Sequence, residues 1–267
     1  VRWDSRLVFD RTPRLVSVPL PDRAVFESRY ERPGRPALFD DALLGWQPDR
    51  FTPAALAAHY PDSLLDGYRV EAGQLVFDDA TGLVPTTVRA GELPTELGLR
   101  APTLRVRHRD FARLPGLLSS APTPEVCAGK ARLEPNLWIS PAGVRSQLHF
   151  DQPRTLLAQL VGDKRVLLFA PGQRAHLHPF PLASANAQFS QADVAAPDLV
   201  RFPGLARARG VQCVLRPGQA LFIPGGWWHY LDAEDVTVSF GFRWWGLRHL
   251  PRLVVADVYK RVRGHIR

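Results

Sequence analysis

His149 and Asp151 stand two residues apart in SQLHFDQPRTLLAQLVGDKRVLLF, residues 146 to 169. On a strand that spacing sends both side chains off one face, where an imidazole and a carboxylate converge and favour a divalent metal. His229, 80 residues after His149 and beside a Pro-Gly-Gly turn, supplies a third donor. Two histidines and one carboxylate on one face of an iron leave the opposite positions open, and zinc accepts the same donors. A His-x-Asp pair is also ordinary strand decoration, so the pair alone does not choose between a metal centre and a strand with polar residues.

Lys164 narrows the choice. The chain has 34 basic residues, of which only Lys130, Lys164 and Lys260 are lysines. A lysine thirteen residues after Asp151, in a chain that otherwise uses arginine, marks a position needing a compact ammonium on a flexible stem. The surrounding glycines add to this. Gly143 precedes His149 and Gly162 follows Asp151, while Gly218, Pro224, Gly226 and His229 follow the order G-x5-P-x-G-x2-H. These spacings resemble the two cupin motifs, with Asp151 replacing the second histidine of the first motif.

From about residue 136 the chain breaks into short apolar runs separated by Gly and Pro turns: NLWIS, SQLHFD, RTLLAQLVG, KRVLLFAP, QCVLRPG, QALFIPGG and VTVSFGFRWW. This texture predicts an all-β barrel or sandwich. The first hundred residues read as mixed α and β. Asp22 is placed to cap a helix over PDRAVFESRYERPG, RPALFDDAL suits a short strand, and Thr52 with Pro53 opens a two-turn helix. TLRVRHRDFARL reads as a strand running into a helix, and PRLVVADVYKRVRGHIR as a basic amphipathic helix packed on the barrel or used in a homodimer. One domain spanning 1–267 is expected, with a mixed extension over 1–110, a barrel core over 111–247 and the terminal helix over 248–267.

Composition sets the outer bounds. With 267 residues, 45% of them apolar, the chain can fill a real core. It has no run of 18 apolar residues, so no membrane-spanning helix is expected. VRWDSRLVFDRTPRL lacks the apolar centre and cleavage pattern of a signal peptide, and a cytoplasmic location is the expectation. Cys127 and Cys213, 86 residues apart, suggest neither a disulfide framework nor a cysteine zinc site. The charge of +8 is carried by arginines that form no block interleaved with aromatics, which argues against nucleic acid and suits an acidic peptide or protein partner.

The motifs together resemble the JmjC-type, cupin-like Fe(II)- and 2-oxoglutarate-dependent hydroxylases. The likeness runs over roughly residues 15 to 245: FESRYERPGRPALFDDALLGW is similar to the family's N-terminal segment, NLWIS and SQLHFD to its approach to the metal, and AQLVGDKRVLLFAP to its lysine strand. HPFPLASANAQFSQADVAAPDLVRFPGL is similar to the insert of its small hydroxylases. The resemblance implies a mainly β double-stranded β-helix (jelly roll) flanked by helices. It implies Fe(II), 2-oxoglutarate and O2, with His149, Asp151 and His229 as the catalytic iron ligands and Lys164 on the distal carboxylate of 2-oxoglutarate. Ser146, Thr155 and Ser239 match positions where relatives place polar groups near the cosubstrate, Ser239 standing where several carry asparagine. Trp138 matches a tryptophan that faces the substrate, and a structural tryptophan is an equal reading.

Two departures limit the carry-over. Relatives use a tyrosine upstream of the metal pair, and residues 111 to 137 contain none; Gly241 stands where an asparaginyl hydroxylase of the group has a bulky aromatic. The implied reaction is hydroxylation of an amino-acid side chain in a peptide or protein. The alternatives are N-methyl-lysine demethylation, hydroxylation of a free amino acid, natural-product peptide or tRNA base, a non-catalytic metal-binding cupin, and a zinc isomerase. His176 and His178 in HLHP lack a third ligand at a useful spacing and are read as loop residues.

Overall fold

The computed structural model describes residues 12–246. Of the strands in the N-terminal part, three bear on the site: β1 (Ala37–Asp40), β2 (Leu64–Glu71) and β3 (Leu104–His108). Eight more follow: β4 (Glu134–Ser140), β5 (Arg145–Phe150), β6 (Arg154–Val161), β7 (Lys164–Phe169), β8 (Gly210–Leu215), β9 (Ala220–Ile223), β10 (Trp228–Ala233) and β11 (Thr237–Trp244). These eight divide between two facing antiparallel sheets. One runs β5-β10-β7-β8 and the other β9-β6-β11-β4, the strand distribution of a double-stranded β-helix. The N-terminal strands widen the second sheet, β1 on β9, β3 on β4 and β2 on β3. A short strand, Gln74–Leu75, pairs with both β2 and β5 and ties the two sheets together.

Strand alternation in β11 explains how the site is separated from the core. Phe240, Phe242 and Trp244 face the N-terminal segments, while Ser239 and Arg243 reach the barrel interior and Gly241 leaves space there. On the outer side helix α1 (Arg23–Phe26) is capped by Asp22, whose Oδ1 accepts from Val25 N at 2.8 Å. Helix α2 (Pro53–His59) is capped by Thr52 at 3.2 Å with Pro53 in its first turn. Phe26 meets Phe222 edge-on at 4.9 Å and Phe51 meets Phe240 at 5.4 Å. Each such ring contributes about 1.5–3 kcal/mol of burial, so the helices stiffen the wall that carries the site. Leu168 and Leu215 belong to a second apolar cluster with Leu157 and Leu231, which also line the site.

Two local expectations change. β10 has no counterpart among the predicted strands, because WWHYLDA is buried on both faces and shows no apolar-polar alternation. The helix expected after TLRVRHR is a single 3-10 turn, Phe111–Arg113, since Pro115 and Gly116 follow at once. Cys127 and Cys213 are both free and buried, with burial pushing each thiol up to about 12. Among the described residues no helix is long and apolar enough to cross a membrane. The amphipathic helix read over 248–267, and any dimer contact it would make, lie outside the described residues.

Candidate active site

His149 on β5 and His229 on β10 are directly opposed in the antiparallel pair, with ring centroids 4.2 Å apart. The register irregularity between Ser146 and His149 lies just before this pair. Asp151 follows the end of β5. Its carbonyl accepts from Gly226 N at 2.7 Å, fastening the Pro-Gly-Gly turn beside it, and a Cβ on Gly225 would strike the Gln152 carbonyl. One ligand atom from each of His149, Asp151 and His229 lies within 4.8 Å of the others, the one such group among the described residues.

The donors are oriented as well as gathered. Nδ1 of His149 lies 2.7 Å from the Gln147 carbonyl and Nδ1 of His229 lies 3.0 Å from the Trp227 carbonyl. A carbonyl only accepts, so each Nδ1 holds the proton and each Nε2 keeps its lone pair for a metal. Burial lowers both imidazole pKa values, that of His149 to about 3, which favours the neutral forms. For Asp151 burial acts in the opposite sense, but the guanidinium of Arg243, with that of Arg107 added, outweighs it and holds the carboxyl well below the usual range. Arg243 Nη2 sits 3.1 Å from Oδ1, and Oδ2 lies 3.9 Å from His229 Nε2. One carboxylate oxygen is thereby held by the protein and the other faces the histidines.

Lys164 opens β7, after a turn at Gly162 (φ +67°) where a Cβ would collide with the Val236 carbonyl. It is 2% exposed, and its Nζ donates to Ser239 Oγ at 2.7 Å. Ser239 in turn donates to Gln159 Oε1 at 2.6 Å, and Gln159 Nε2 donates to the carbonyls of Val161 and Gly162. Burial, with the charge of Arg105 added, lowers the lysine pKa well below its ordinary value. No carboxylate lies within ion-pair distance of Nζ among the described residues, so an entering carboxylate would find an uncompensated buried cation.

Lys164 and the three metal donors line one cavity of about 330 Å3. Thr155 lines it too, whereas Ser146 is engaged by Arg105 Nη1 and Ser239 by Lys164. Trp138 stands in the wall, with the guanidiniums of Arg105 and Arg107 at 4.8 and 5.0 Å from its ring centroid. His176 and His178 take no part: His178 Nε2 accepts from Gly204 N at 3.2 Å and its ring packs on Phe202.

Several lining residues were not singled out in the sequence. Phe189, from the segment between β7 and β8, stacks on His149 at 5.1 Å, and Asn186 joins it over the metal donors. Arg105 and Arg107 are the interior-facing pair of β3, for which the alternation in LRVRH was the available signal. Tyr68, on β2, accepts from Arg107 at 2.9 Å. Only the pairing of β2 with β3 brings it there, and sequence spacing carries no trace of that.

A family model described as a cupin-like domain matches residues 101–247. The chain is 38% identical over 143 residues to Lysine-specific demethylase 8 of Xenopus tropicalis, covering 52% of this chain and 32% of that protein. It is 32% identical over 160 residues to Jumonji C domain-containing protein 5 of Drosophila melanogaster, covering 58% and 39% respectively. HSPB1-associated protein 1 of Rattus norvegicus is 40% identical over 114 residues, 42% of this chain and 24% of that protein. The match thus spans well under half the length of these curated relatives. With the jelly roll, the His-Asp-His donor set and the buried lysine, it establishes that the chain belongs to the cupin-like family in its JmjC branch, the Fe(II)- and 2-oxoglutarate-dependent oxygenases.

Proposed function

We propose that this protein hydroxylates a C–H bond on an amino-acid side chain within a peptide or protein. The observation that carries the proposal is the buried, carboxylate-free ammonium of Lys164 in the same cavity as the three metal donors. Two neutral imidazoles with free Nε2 atoms and one ionised carboxylate fit Fe(II), and Lys164 fits the distal carboxylate of 2-oxoglutarate. Iron and 2-oxoglutarate together supply oxidation by O2, with release of carbon dioxide and succinate.

The protein's own contribution is placement. His149, Asp151 and His229 would hold the metal on one face of the cavity, and Arg243 keeps the Asp151 carboxylate turned. Lys164, held by Ser239 and Gln159, fixes the far end of the cosubstrate. Phe189 shields His149 from water, and the gap at Gly241 beside Trp138 leaves room for a side chain.

The names of the demethylase relatives favour a second reading, removal of a methyl group from N-methyl-lysine. Incubation with Fe(II), 2-oxoglutarate, O2 and peptide pools separates the two by mass spectrometry. Peptides gaining one oxygen atom support hydroxylation. Formaldehyde with loss of methyl groups supports demethylation, and absence of succinate with every pool would sink both.

A further inference from the structure

The segment LRVRHR places arginines at 105, 107 and 109, every second residue along and just beyond β3. Arg105 is buried against Ser146 at the cavity floor. Arg107 is half-buried at the point where the metal cavity meets a surface groove of about 580 Å3, and both it and Tyr68 line the two spaces. Arg109 is exposed and lines that groove beside Thr86, Thr87 and Asp66, whose carboxylate is taken by Arg113 at 3.4 Å. Arg107 donates through Nη1 to the Tyr68 hydroxyl, and its buried Nε has no partner. Among the described residues no carboxylate lies within ion-pair distance of any of the three arginines.

The charge balance of the cavity points the same way. Its lining holds Lys164, Arg105, Arg107 and Arg243 against the single carboxylate of Asp151. A divalent metal and a dianionic cosubstrate cancel each other in charge, so the cationic surplus survives their binding. It opposes an ammonium or guanidinium entering from the groove and attracts a carboxylate. A nucleic-acid strand would need free aromatic faces on which to stack bases, and the face of Trp138 is already covered by the guanidiniums of Arg105 and Arg107.

We propose that the substrate is an acidic peptide segment whose Asp or Glu side chains run along Arg109 and Arg107 into the cavity. This rests on the oxygenase reading above and names the substrate class for that site. A half-buried guanidinium with unused donors gives a charge-assisted hydrogen bond, so discrimination against a neutral isostere of about tenfold is expected.

The test uses the whole chain loaded with Mn(II) and 2-oxoglutarate without O2. It is exposed to degenerate hexapeptide pools with a fixed central Glu-Glu, Gln-Gln or Lys-Lys pair, and to a short oligouridylate. The Glu pool should be retained about tenfold over the others. Arg107→Gln should erase most of that preference, exposed Arg109→Gln should weaken it in a chain whose melting is unchanged, and joint Arg107→Glu and Arg109→Glu should turn it toward the Lys pool. Equal retention, no retention, or preference for lysine or oligouridylate would overturn the proposal. So would an acidic preference abolished by saturating 2-oxoglutarate, which would give Arg107 to the cosubstrate. Titration of 2-oxoglutarate into the wild-type protein is read separately: failure there rejects the oxygenase reading and leaves the peptide ranking to be judged alone.

Discussion

Lys164 Nζ donates to Ser239 Oγ at 2.7 Å across the barrel, linking the first residue of β7 to the interior face of β11. The bond joins the two sheets at the depth where the proposed function would place the cosubstrate's far carboxylate. It also gives a buried ammonium a neutral partner that orients it without neutralising it.

Lys164→Met should therefore weaken 2-oxoglutarate binding by about 100-fold or more, the effect of breaking a buried ion pair, while Mn(II) affinity persists. Ser239→Ala should cost about tenfold, through lost orientation. The pH dependence has a definite sign. Burial depresses the free lysine pKa, and a bound carboxylate raises it again. Affinity is then highest below the depressed value and falls as pH rises through it. Calorimetric titration at several pH values should show that decline in the wild type and none in Lys164→Met; a flat wild-type profile would place the anchoring charge elsewhere.

Arg243 holds Asp151 Oδ1 at 3.1 Å, and its removal frees the carboxylate to turn away from the histidines. Arg243→Gln should lower Mn(II) affinity by about 10- to 100-fold, in the range of other outer-sphere partners of metal ligands. Asp151→Ala should abolish binding. Equal metal affinity in Arg243→Gln and wild type, measured by electron paramagnetic resonance of free Mn(II), would show that the ion pair does not orient the ligand.

At Gly241 a Cβ would meet Leu157, Thr155 and Trp138 at 3.5, 3.7 and 3.8 Å, ordinary contact distances. Gly241→Ala should be tolerated, whereas Gly241→Trp should fill the cavity beside Trp138. Metal binding should survive in Gly241→Trp, with peptide oxidation falling at least about tenfold as the substrate loses its place near the metal. Full peptide oxidation by Gly241→Trp would move the substrate to another wall.

The metal donors were legible because they obey short rules: a two-residue strand spacing, a Pro-Gly-Gly turn, a rare lysine. β11 was legible too, since VTVSFGFRWW begins after a turn and is rich in β-branched and aromatic residues. What sequence could not disclose are encounters between distant strands. Tyr68 reaches Arg107 only because β2 pairs with β3, and Phe189 reaches His149 by a single bridge from a long irregular segment. Ser239 was expected at the cosubstrate; its partner Lys164, 75 residues away, is set by the closure of the barrel.

Lys130, another of the three lysines, is half-buried between carboxylates. Its Nζ donates to Glu27 at 2.7 Å and Glu31 at 2.8 Å, and Glu31 additionally accepts from Trp244 Nε1 at 2.7 Å. This network fastens the segment after α1 to the end of β11, behind the strand face that carries Ser239 and Arg243. Lys130→Met removes the cation the two carboxylates share, leaving Glu27 to Arg23 and Glu31 to Arg154, and should destabilise the fold by about 1 kcal/mol. The hydrogen bond from Lys130, then that from Arg23, lower the Glu27 pKa from 4.5 to about 2. A carboxylate depressed on folding stabilises the fold above its unfolded pKa, and that contribution fades as pH falls through the folded one. The melting temperatures of wild type and Glu27→Gln should thus differ most at neutral pH and converge between pH 4.5 and about 2. A gap that persists unchanged at the acid end would mean that Glu27 acts through packing and not through its charge.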